Sequence, residues 1–68
     1  MYFCIETAQE KDGRWIAEIP DLPGVMVSGK TLEDAILKVQ AQALRVLADR
    51  LERGEVVPEL DTIFSITT

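Results

Sequence analysis

Two largely apolar stretches, YFCIETAQ and WIAEI, flank the polar run Lys11-Asp12-Gly13-Arg14. Two short strand-like runs on either side of an Asp-Gly pair predict a β-hairpin, because glycine supplies the positive φ that a tight turn needs. With Asp12 and Gly13 as a two-residue loop, Ala8 faces Ala17, Glu6 faces Ile19, and one side carries Cys4, Ala8, Trp15, Ala17 and Ile19. The other side then holds Phe3, Ile5 and Ile16 among Thr7, Gln9 and Glu18. A three-residue loop reverses this assignment, since a slip of one residue turns every side chain to the opposite face. Pro20 lacks the N–H a ladder requires, and Pro23-Gly24 fits the centre of a type II turn, so Pro20-Asp21-Leu22-Pro23-Gly24 ends the second strand. Val25 to Val27 predicts a short third strand, broken by Ser28-Gly29.

From Thr31 the period changes to that of a helix. Thr31 is placed to cap it by accepting from the N–H of Asp34, and Glu33 and Asp34 put negative charge at the positive end of the helix dipole. Arg50 and Arg53 stand at the other end, and Gly54 suits the left-handed position after the last turn. The helix is therefore expected over about residues 32 to 53, roughly 33 Å long. Leu32, Ala35, Ile36, Val39, Ala43, Val46 and Leu47 form the stripe that covers a sheet. Leu37, Ala41, Leu44, Ala48 and Leu51 form a second stripe, rotated by about 140°. One small sheet buries only one stripe. Either the chain after Gly54 folds back over Leu44 and Leu51, or the second stripe is a candidate oligomer interface. Beyond Pro58, DTIFSITT resumes a strand pattern. The predicted architecture is a single small α+β domain over residues 1–68, β-β-β-α-β, with an antiparallel sheet packed on one long helix.

Composition narrows the functions. The chain has 68 residues, one cysteine and no histidine. A domain of this size buries only about 60% of its unfolded surface, and neither a disulfide nor a Cys/His zinc cage is open to it as a staple. Association with another chain, as a homodimer or higher homo-oligomer, is the remaining route. Seven basic and 12 acidic residues give a net charge of −5, which disfavours nucleic acid and anionic membranes as direct partners and suits a basic protein. No basic-then-apolar leader opens the sequence and no run is long enough to span a bilayer, so a cytoplasmic protein is expected.

Catalytic chemistry finds little support. Cys4 has no histidine to activate it and reads as a small apolar strand residue. Glu6 with Asp21 could imitate a metal-binding carboxylate pair, but a solvated strand edge accounts for Glu6 more simply. Trp15 has no basic surround for stacking a base, which leaves core packing. The four glycines sit one at each junction, not in a phosphate loop. No catalytic residue, cofactor or metal is expected.

The landmarks Asp12-Gly13, Trp15-Ile16-Ala17-Glu18-Ile19-Pro20, Asp21-Leu22-Pro23-Gly24, Gly29-Lys30-Thr31-Leu32-Glu33-Asp34-Ala35 and Glu52-Arg53-Gly54 followed by Pro58 occur in that order. The string resembles that of HicB-type antitoxins. The resemblance implies a partial ribonuclease H-like fold with the last strand beside the first, no nuclease activity, and Asp21 to Gly24 as turn residues. It also implies a partner, a small basic RNA-cleaving toxin of the HicA type. Many members of that family continue into a DNA-binding module; the sequence stops at Thr68, so specific DNA binding is not expected. Val25 stands where a cysteine often follows the Pro-Gly turn. The expected function is an antitoxin-like protein-binding module, with Glu6, Glu10, Glu18 and Asp21 as candidate toxin contacts and Leu37, Ala41, Leu44, Ala48 and Leu51 as the candidate oligomer seam. The alternative is a homo-oligomeric orphan domain without a toxin, with room for a small ligand between protomers.

Overall fold

The computed structural model of the chain describes residues 3–67. Tyr2 and Thr68, which the pattern assigns to the first and last strands, lie outside the described residues. Three antiparallel strands, β1 (Glu6–Gln9), β2 (Trp15–Glu18) and β3 (Met26–Gly29), are ordered β1-β2-β3 and followed by one helix, α1 (Leu32–Glu52). A short 3-10 helix (Pro58–Thr62) completes the elements. This is the small single-domain α+β fold that the sequence predicts, except at its last element.

The hairpin adopts the three-residue loop. Gly13 N–H donates to the Glu10 carbonyl at 2.9 Å and Glu10 N–H to the Arg14 carbonyl at 2.7 Å. A two-residue type I′ loop needs positive φ at both Asp12 and Gly13, and only Gly13 takes it, at 93°. Asp12 instead accepts from Arg14 N–H through its carboxylate, at 3.1 Å. The register is Glu6 with Glu18, Thr7 with Ala17, Ala8 with Ile16 and Gln9 with Trp15. The two-residue reading is thus corrected by one position, and every side chain of β1 changes face. Phe3 and Ile5 now pack against the core with Trp15, Ala17 and Ile19, a larger apolar load than Cys4 and Ala8 offer. Cys4 is exposed.

Two successive turns join β2 to β3. Leu22 N–H donates to the Ile19 carbonyl at 2.9 Å, and Val25 N–H to the Leu22 carbonyl at 3.0 Å. Gly24 has φ 84° in the second turn, as a type II turn requires. Leu22 is left 1% exposed between them, so the segment plugs the sheet end as well as reversing the chain.

Thr31 caps α1 by accepting from Asp34 N–H at 3.0 Å, and the Asp34 carboxylate reaches back to accept from Lys30 N–H at 3.1 Å. Two donors at the helix start are satisfied reciprocally. The bond from Lys30 N–H, with Lys38 adding to it, holds the Asp34 carboxyl below the usual carboxylate range. At the far end Gly54, at φ 86°, closes a Schellman turn in which Glu55 N–H donates to Arg50 and Gly54 N–H to Leu51. Between the caps α1 lies over β2 and β3. Ala35, Val39, Ala43 and Leu47 are buried against Ala17, Ile19, Leu22 and Val25. β1, not covered by the helix, has all four residues exposed.

The expected final strand does not form among the described residues. Pro58 starts the 3-10 turn, Thr62 donates through its hydroxyl to the Glu59 carbonyl, and Ile63 and Phe64 N–H both turn back to the Leu60 carbonyl. Backbone groups that a strand would offer sideways are used locally. Ile63, Phe64 and Ile66 remain exposed, and the edge of β1 away from β2 has no paired strand among the described residues.

Candidate functional site

Two surfaces gather the residues that the sequence singles out. The first is the outer face of the sheet, opposite α1. Its even-numbered side chains run in rows across the strands: Glu6, Glu18 and Met26 in one, Ala8, Ile16 and Ser28 in the next. Glu6 and Glu18 are therefore direct cross-strand neighbours. Like charges in that position oppose pairing by about 0.2–1 kcal/mol. None of the three ion pairs among the described residues, Lys38–Asp34, Arg53–Asp49 and Arg53–Glu55, involves either of them.

The other two candidate acids stand apart from this pair. Glu10 lies at the hairpin end, bonded through its backbone to Arg14. Asp21 is exposed in the turn three residues beyond Glu18. Met26, beside Glu18 in β3 and 54% exposed, belongs to the same face, although the pattern gives it only as a strand residue. Two acids with a methionine beside them offer charge and a compliant apolar contact on one surface. Glu6 and Asp21 are not joined by a third ligating group, and no cluster of three or more Cys, Asp or Glu side chains suited to a metal forms among the described residues.

The second surface is the exposed side of α1. Leu37, Ala41, Leu44, Ala48 and Leu51 are all exposed, with Leu37 at 66% and Leu44 at 64%. The chain beyond Gly54 does approach it: Leu44, Ala48 and Leu51 line a shallow apolar groove with Leu60, Ile63 and Phe64. It does not bury the leucines. An adjoining open cleft of about 480 Å³ lies among Phe3, Ile5, Ala43, Leu44, Leu47 and Leu60. Sequence reasoning misses this cleft, which depends on the hairpin register that brings Phe3 and Ile5 inward. No helix among the described residues is long and apolar enough to cross a membrane.

The chain is similar to the UPF0150 protein Ta0767 of Thermoplasma acidophilum, with 27% identity over 59 residues that cover 85% of this chain and 84% of that protein. The similarity spans nearly the whole of both chains. No family model matches the sequence, and no solved structure matches the fold.

Proposed function

We propose that this chain is an acidic protein-binding module of the HicB antitoxin type, acting in the cytoplasm to neutralise a small basic, RNA-cleaving toxin by covering its RNA-binding surface. The observation that carries the reading is the facing pair Glu6 and Glu18 on the outer sheet surface. Their juxtaposition costs stability in the isolated chain and is relieved by a cationic partner, the kind of local conflict that folded proteins keep at functional surfaces. The string of turn and cap landmarks from Asp12 to Pro58 supports the same family. A toxin that grips RNA presents cationic side chains at the spacing of phosphates, and acids fixed on a sheet compete for them. The module contributes occlusion and charge, with no catalytic residue and no cofactor.

Co-expression with a small basic RNA-cleaving toxin of the HicA type tests this directly. Relief of growth arrest and a complex that co-purifies are expected. Glu6→Lys combined with Glu18→Lys should weaken the complex by about 10-fold or more and flatten its salt dependence. An unchanged affinity removes these two acids from the interface.

A second reading rests on the other surface. The exposed stripe from Leu37 to Leu51 supports a homo-oligomeric domain, whether or not it has a toxin, with the open cleft beside Leu44 available to a small apolar ligand near the protomer boundary.

A further inference from the structure

The exposed stripe of α1 carries a regular spacing of its own. Leu37, Ala41, Leu44, Ala48 and Leu51 are spaced four, three, four and three apart, an average of about 3.5 residues, which is the repeat of a helix that packs along another helix. The leucines alternate with alanines, so a second helix can set each leucine over an alanine and approach to the short end of the usual spacing, about 8 Å.

The two flanks of the seam decide the orientation. At about 100° per residue, Asp34, Lys38, Arg45, Asp49 and Glu52 line one flank, with Lys38 paired to Asp34. The other is the apolar groove of Leu47, Leu60, Ile63 and Phe64. In a parallel pair of identical helices the charged flank of each lies against the groove of the other, and charges lose water without gaining partners. In an antiparallel pair related by a two-fold axis, charged flank meets charged flank and groove meets groove. Charge order agrees with this in part: reversal lays Lys38 of each helix near Glu52 of the other, while the two copies of Arg45 meet at the two-fold axis. Arg45 and Glu52 take part in no ion pair among the described residues.

Resting on the reading of this stripe as a self-association surface, we infer that α1 pairs with α1 of a second copy as an antiparallel, isologous dimer. Leu44 packs on Ala48 of the second copy and Leu51 on Ala41, and two Lys38–Glu52 pairs outweigh the one Arg45–Arg45 approach at the axis. A register shifted by one heptad keeps leucine over alanine on most layers but sets Lys38 against Arg45 of the second copy, and charge selects against it.

Sedimentation velocity on the full chain between about 1 and 100 µM tests the dimer. The unmodified chain is expected to dimerise in this range. Leu44→Glu, at a position already 64% exposed, should weaken dimerisation by at least about 100-fold while leaving the circular dichroism spectrum unchanged. Lys38→Glu and Glu52→Lys should each weaken it by about 10-fold. An equimolar mixture of those two variants should recover to within about threefold of the unmodified chain, because both cross-pairs of the mixed dimer are then of opposite sign. A monomer throughout, or a dimer indifferent to Leu44→Glu, overturns both this inference and the reading of the stripe as the self-association surface. A dimer lost with Leu44→Glu but not recovered by mixing overturns the antiparallel register alone.

Discussion

The two sides of α1 have nearly the same vocabulary and different fates. Ala35, Val39, Ala43 and Leu47 are buried, while Leu37, Ala41, Leu44, Ala48 and Leu51, just as apolar, face outward. Apolar character alone therefore does not bury a side of this helix; the stripe with more apolar positions, Leu32 to Leu47, is the one that meets the sheet. The buried side carries small residues at 35 and 43, which let the helix settle close to β2 and β3. The outer side carries leucines at alternate positions of its stripe, with alanines between them.

Emptying the buried side has the largest expected effect. Leu47→Ala, at a residue 5% exposed, should destabilise the fold by about 2–5 kcal/mol. Leu44→Ala should change the monomer by no more than about 0.5 kcal/mol. Urea titrations at concentrations low enough to keep the chain monomeric measure both. Equal losses at the two positions would mean that the stripes are not distinguished by burial at all.

Gly29 tests what fixes the distance between the buried side and the sheet. A Cβ built on it would lie 2.6 Å from the Ala35 backbone nitrogen and 2.9 Å from the Asp34 carboxylate. Backbone at the first turn of a capped helix has little freedom to give. Gly29→Ala is expected to cost about 1–3 kcal/mol, read as a lower urea midpoint with an unchanged slope, and a neutral substitution would show that the helix start can retreat from β3.

The parts of this fold that were legible in the sequence are those whose physics is local. Thr31, Asp34 and Gly54 mark the ends of α1 because each cap is satisfied by groups within a few residues. The Leu22 and Pro23-Gly24 turn is read for the same reason. Hairpin register was not settled by the Asp-Gly pair, which fits a loop of two residues or of three; burial of Phe3 and Ile5 decides between them, and burial is a property of the whole fold. The final strand failed for a related reason. Ile63, Phe64 and Ile66 have the pattern of a strand, but pattern supplies no partner, and the 3-10 turn from Pro58 takes the backbone donors first. The candidate acids divide along the same line: their charge was evident, but that Glu6 should stand opposite Glu18 follows only from the corrected register.

The smallest effect concerns where α1 begins, which sets the rotation of both stripes at once. Thr31→Ala removes the acceptor for Asp34 N–H and should cost about 1 kcal/mol. Asp34 contributes through its charge as well, because the bond from Lys30 N–H and the neighbouring Lys38 favour its ionised form. A carboxyl whose pKa is lower in the folded than in the unfolded chain stabilises the fold at pH values above the unfolded pKa, and that stabilisation drains away as the pH falls through the folded pKa. Asp34→Asn keeps an oxygen to accept from Lys30 but has no charge to titrate. Its urea midpoint should therefore lie below that of the unmodified chain at neutral pH, with the gap closing once the medium is acid enough to protonate Asp34. A gap that stays constant across that range would assign the role of Asp34 to hydrogen-bond geometry, and would leave the start of the helix, and with it the division between its two sides, independent of pH.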